Sequence, residues 1–168
     1  MNIFIYICIL FLFTVIQTSF FNFFMPSSFS PDLFAVFMIY MAMTRSFREG
    51  LLFSLFAGYM LSLHTSVGFL NVSLFSIVTF FVARYVSLNF YTNDVKYLFL
   101  TIALPVFANK VFTLFWLRFG NFLIFMEHFF YVITGTIITA AVGILIFRTF
   151  NWIDVITKRI NLDSVVEE

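Results

Sequence analysis

An all-α integral membrane protein, folded as one bundle of six transmembrane helices, is the architecture this sequence predicts. Two observations carry it. Charged residues make up only 10% of the 168-residue chain and hydrophobic ones 62%, where an ordinary globular domain has about 25% charged residues. The few charges lie mostly between long apolar runs, and a helical span needs roughly 20 apolar residues, so the chain has room for about six spans with short connections. No length is left for a soluble catalytic domain.

The first helix is expected from about Ile3 to Phe24. It lacks a basic flank and a small-x-small cleavage site, so it reads as a retained span rather than a signal peptide. The segment from Met25 to Asp32 breaks it with Pro26 and Pro31. Ser30-Pro31-Asp32 then suits a helix start, because Pro fits the first turn and an acid complements the helix dipole. A second helix follows to about Ser46, and a third from about Glu49 to His64. At about 16 residues each these two reach only about 24 Å, short for a core of about 30 Å, so either a hairpin shielded by longer neighbours or a place where the bilayer thins is expected. Further helices are expected over about Gly68–Tyr91, Tyr97–Leu117 and Phe129–Phe147. The spans thus fill residues 1–148. Residues 149–168 read as a cytoplasmic tail, in which Trp152, Ile156 and Ile160 with Lys158 and Arg159 form an interfacial helix.

Basic residues orient the bundle, since Lys and Arg are retained on the cytoplasmic side. With the N-terminus inside, Arg45, Arg48, Arg84, Lys96, Arg148, Lys158 and Arg159 all fall on the inner face and Arg118 on the outer. Both termini are therefore expected in the cytoplasm.

Small residues recur every fourth position on the third helix, at Gly50, Ser54, Gly58 and Ser62, and on the sixth, at Gly135, Thr139 and Gly143. Lipid supplies no hydrophobic push between helices, so such stripes serve close helix packing. The neighbour is either another helix of this chain or a partner. Among polar residues, Gln17, Asn71 and Asn109 call for interhelical hydrogen bonds, while Asp32, His64, Lys110, Arg118, Glu127 and His128 form an outer set. Lys110 lies within an apolar run, and an intramembrane cation is a functional candidate by default. Its position toward the outer end leaves three readings: an ammonium lifted to the headgroups on its long stem, a pair with Asp32 or Glu127, or a bound ligand.

Catalytic and metal chemistry find no footing. The lone Cys8 excludes an internal disulfide and a cysteine metal site. His64 and His128 lack metal-ligand spacing, and no nucleophile elbow, phosphate loop or dinucleotide fingerprint occurs. Asp32 and Asp94 fall on opposite faces, too far apart for a carboxylate pair. No cofactor, nucleic-acid partner or enzymatic activity is expected. The 29 Phe residues read as lipid-facing and core filling.

Taken in order, Gln17, Pro31-Asp32-Leu33, Arg48-Glu49-Gly50, Gly58 and Gly68-x-x-Asn71-x-x-x-Phe75 resemble the rod-shape-determining membrane protein family MreD. The motifs cover about the first half of the chain; the second half agrees in length and hydropathy. The family commonly has an acid near the end of the third helix, where this chain has His64. The resemblance implies a bacterial inner-membrane scaffold of the cell-elongation complex that binds MreC and works with MreB and the peptidoglycan synthases. It also implies a six-helix fold similar to the substrate-binding subunits of energy-coupling-factor vitamin transporters. The stripe of the sixth helix or the apolar outer wall would seat the membrane anchor of MreC, and self-association is open. A vitamin-binding transporter subunit is the rival reading. Those subunits carry an alanine-x-x-x-alanine stripe on the first helix, and here that helix has no alanine, Thr14 and Thr18 being the nearest substitute. A channel or holin fits the size but not the interrupted second and third helices.

Overall fold

A twelve-residue helix, Leu33–Thr44, sits at the centre of the chain's fold, with all residues from Leu33 to Ala42 buried. It is flanked in sequence and space by five others. The computed structural model describes residues 3–21, 23, 30–63, 69–89, 95–117 and 122–156. In chain order these form α1 (Ile3–Val15), continued by a π-helical turn over Ile16–Phe21, then α2 (Leu33–Thr44), α3 (Phe47–Ser62), α4 (Phe69–Asn89), α5 (Val95–Leu117) and α6 (Phe122–Ile156). No strand occurs among the described residues.

Three helices are long and apolar enough to cross a membrane, over Leu70–Asn89, Val95–Phe115 and His128–Val155, while the apolar stretches Phe4–Ser19 and Leu33–Thr44 are shorter. The six expected helices are therefore present, and three of them meet the length of a span.

Helix α2 touches each of the other five. Its sequence, LFAVFMIYMAMT, has no polar face, and a helix apolar all round must be enclosed on every side. Phe34, Phe37, Ile39, Tyr40 and Met41 are fully buried. It is only about 18 Å long and emerges at Thr44, which is exposed. The expected shielding of a short hairpin holds for α2 but not for α3, where Leu52 is 67% and Tyr59 46% exposed.

Boundaries differ from expectation where capping or burial decides. Arg45 adopts an extended backbone and ends α2, and the Ser46 hydroxyl then accepts from the Glu49 N–H at 3.5 Å, so α3 begins at Phe47. The connection is only two residues long. Helix α6 runs 35 residues without a break, so the segment 149–156, expected to begin a separate interfacial helix, continues the last helix instead. No Gly or Pro interrupts it after Gly143. Gly143, Phe147, Phe150 and Asp154 recur at helical spacing and are all buried, while Arg148 and Asn151 lie on the exposed face. The expected part of the tail beyond Ile156, with Lys158, Arg159 and Ile160, lies outside the described residues.

Both small-residue stripes face inward. A Cβ placed on Gly50 would lie 2.8 Å from Cε2 of Phe80 and 2.9 Å from the carbonyl oxygen of Met41. One on Gly58 would lie 3.0 Å from Cβ of Ser76. These glycines bring α3 against α2 and α4. On α6, a Cβ at Gly143 would meet Ile102 of α5 and Val36 of α2 at 3.1 to 3.2 Å, and Gly135 and Thr139 are buried. The sixth-helix stripe is thus occupied by this chain's own helices, because α2 lies directly beneath it.

Gly50→Ala is expected to destabilise the fold by about 1–3 kcal/mol, since a backbone carbonyl cannot yield as a side chain does. Leu52→Ala on the exposed face should change stability by no more than about 0.5 kcal/mol. Thermal unfolding of the two variants in one detergent checks the contrast.

Candidate functional site

The polar side chains gather in two layers, one at each end of α2. The reason is local. A helix leaves unpaired N–H groups at its start and unpaired carbonyls at its end, and inside an apolar bundle only protein groups can satisfy them.

At the N-terminal end, Asp32 caps α2 and its Oδ1 accepts from the Ala35 N–H at 2.9 Å. The Gln17 side chain, carried on the π-helical turn, accepts from the Leu33 N–H through Oε1 at 3.1 Å. Thr139 accepts from the Asp32 N–H at 3.1 Å and donates to the Gly135 carbonyl at 2.7 Å. One layer therefore joins α1, α2 and α6. Lys110 on α5 is half-buried and feels Asp32 as the opposite charge, yet makes no ion pair within 4.0 Å among the described residues. Next to it in sequence, the buried Oδ1 of Asn109 has no hydrogen-bond partner among the described residues.

The C-terminal end of α2 holds a denser cluster. Arg45 donates through Nη2 to both carboxylate oxygens of Asp154, at 2.5 and 2.7 Å. The Tyr40 hydroxyl donates to Oδ2 of Asp154 at 2.6 Å, and the Tyr6 hydroxyl donates to Oδ1. The side chains of Arg45 and Asp154 are 7% and 1% exposed. The guanidinium also lies over the Tyr6 ring, 5.0 Å from its centroid, a favourable placement for a cation. Nε of Arg45 is buried without a partner among the described residues. Below the pair, Phe150 packs against Tyr6, Phe13, Phe37 and Tyr40 with ring centroids 4.7 to 6.4 Å apart. Arg84 of α4 donates to the carbonyls of Ala42 and Arg45 at 2.7 and 3.1 Å, which satisfies the end of α2.

Of the residues singled out in the sequence, the fold brings Gln17, Asp32 and Thr139 together, with Lys110 nearby. Arg48 is exposed in the first turn of α3, and Asn71 is half-buried in the first turn of α4. Gly50, Gly58, Gly135 and Gly143 serve internal packing. His64, Asp94 and Arg118 lie outside the described residues, as does the side chain of Glu127. Sequence reasoning missed the buried set of Tyr6, Tyr40, Arg45 and Asp154, reading Arg45 as part of a basic inner loop that marks orientation or touches anionic lipid or a cytoplasmic partner. A signal was present: Asp154 is the one acid between Glu127 and Asp163, and it keeps register with Phe147 and Phe150.

Among the described residues no group of three or more His, Cys, Asp or Glu is placed to hold a metal ion. Cys8 is exposed on α1. A cavity of about 220 Å³ opens between α5 and α6 and is walled by Leu100, Leu104, Phe107, Ile133 and Ile137 among others. It offers apolar contact.

Gln17→Leu leaves the Leu33 N–H unpaired and should cost about 1–3 kcal/mol. Lys110→Met, which breaks no ion pair among the described residues, should cost less than about 1 kcal/mol. Denaturant titration of the reconstituted variants measures both. No family model matches this chain, and no curated protein or solved structure matches it either.

Proposed function

We propose that this chain is a non-enzymatic scaffold of the MreD type in the bacterial inner membrane, a component of the cell-elongation complex that binds the membrane anchor of MreC. The ordered motifs Gln17, Pro31-Asp32-Leu33, Arg48-Glu49-Gly50, Gly58 and Asn71-x-x-x-Phe75 support the family. One observation favours a scaffold over a carrier: the axis of the bundle is filled by side chains, with Phe34, Phe37, Tyr40 and Phe80 all fully buried. Work done by such a body falls to its outer surface.

With the α6 stripe turned inward, the exposed apolar wall takes the role of the partner surface. Phe4, Phe11 and Leu12 of α1, Leu70 and Leu74 of α4 and Leu145 of α6 are 49% to 75% exposed. A single transmembrane helix adds to such a wall by van der Waals packing alone. All six helices embed in the bilayer with both termini in the cytoplasm, and the fold is similar to that of energy-coupling-factor substrate subunits. MreB and the peptidoglycan synthases are reached through the assembled complex.

A vitamin-binding subunit is the second reading, favoured by the unpartnered Asn109 Oδ1 beside half-buried Lys110. Crosslinking and copurification from native membranes separate the two. Capture of MreC at one-to-one stoichiometry is expected, and an endogenous vitamin copurifying in its place overturns the scaffold. Reporter fusions after Ser66 and after Asn93 should report opposite sides of the membrane; a same-side result breaks the topology.

A further inference from the structure

Helix α6 continues past Arg148, and its last turns hold on to the bundle unevenly. From Asn151 to Val155 only Asp154 is buried, while Trp152 is 65% and Val155 53% exposed. Ile153 packs partly against the core. Upstream the contacts are apolar and dense, with Phe147 and Phe150 3% and 2% exposed. Attachment thus changes character at Phe150. Before it, aromatic packing fixes the helix; after it, the main tie is a carboxylate held by one guanidinium and two phenols, joined by a longer bond from the Tyr40 hydroxyl to Oδ1 of Asn151 at 3.4 Å.

That tie reaches far. Tyr6 belongs to α1, Tyr40 to α2, and Arg45 to the two-residue turn before α3, whose carbonyl is held in turn by Arg84 of α4. A buried ion pair adds little net stability over well-packed apolar residues, but loss of one partner strands the other charge in an apolar site. In mid-bundle the stranded charge would force wide unfolding. At a helix end, a small swing returns it to water.

We propose that residues 151–156 form a latch, closed by Asp154 on Arg45, Tyr6 and Tyr40, which opens as a unit while the rest of α6 stays packed. Local opening with its own free energy is expected where few apolar contacts hold a segment. The latch needs no partner protein, so its failure would leave the scaffold reading untouched.

Hydrogen exchange by mass spectrometry on the full chain in lipid nanodiscs tests it. In Asp154→Asn, amides of residues 151–156 should exchange about tenfold faster or more, while those of residues 132–143 keep the wild-type rate. The double variant Arg45→Met with Asp154→Leu, which replaces the pair by apolar packing, should slow residues 151–156 back toward the wild type. Tyr40→Phe keeps the ion pair and removes only the hydroxyl's hydrogen bonds to Asp154 and Asn151, so it should give a smaller acceleration confined to the same residues even if the charge variants do not fold. Unchanged exchange at 151–156, or acceleration spread equally through 132–143, overturns the latch.

Discussion

Enclosing α2 is the constraint from which the rest of the structure follows. A helix with no polar face gains nothing from any exposed side, so the other five helices are arranged around it. That arrangement demands close approach on several sides at once. Gly50 lets α3 come within contact of the Met41 carbonyl, and Gly143 lets α6 settle over Val36. Because α2 is also buried from Leu33 to Ala42, its first N–H groups and the carbonyl of Ala42 need partners from the protein itself. Gln17, Asp32 and Thr139 supply the acceptors at one end, and Arg84 supplies the donors at the other. The polar residues of this apolar chain are thus placed largely by the backbone of one helix.

The cluster of Arg45, Asp154, Tyr6 and Tyr40 differs in kind. It caps no helix. Instead it joins side chains as far apart in sequence as Tyr6 and Asp154, and it does so among aromatic rings that exclude water. Burying two charges carries a heavy desolvation cost that mutual attraction offsets only when geometry is good and the remaining groups are bonded. Asp154 meets that condition with three donors, whereas Arg45 leaves Nε unpartnered among the described residues. The interaction is better suited to fixing which surfaces meet than to adding net stability. It selects one azimuth for α6 and one path for the turn after α2.

A filled axis shapes what such a protein can do. Aromatic and aliphatic side chains occupy the space between the helices along α2, and large apolar residues cover the outside. Shape presented on the outer surface is the resource that remains. Under the proposed scaffold reading, partner helices add to that wall and a filled centre keeps it in place.

Helical class, helix number and the break at Pro26 to Asp32 were legible in the sequence, because hydropathy and proline placement act over a few residues at a time; the end expected for the last helix at Phe147 was not, since the helix runs on to Ile156. So were Gln17 and Asp32 as groups in need of partners, and the inward use of Gly50 and Gly58 as one of two readings. The rest required the third dimension. Whether the stripe of Gly135, Thr139 and Gly143 faces this chain or another depends on where α2 lies, and α2 is distant in sequence. Asp154 falls in the segment 149–168 that reads as an interfacial tail, between Arg148 and Lys158. Only the continuation of α6 turns it toward Arg45. Local patterns determine which segments coil and which residues shun water; the pairing of a charge at one end of the chain with phenols at the other is decided by packing, since Coulomb and hydrogen-bond energies act on distance in space.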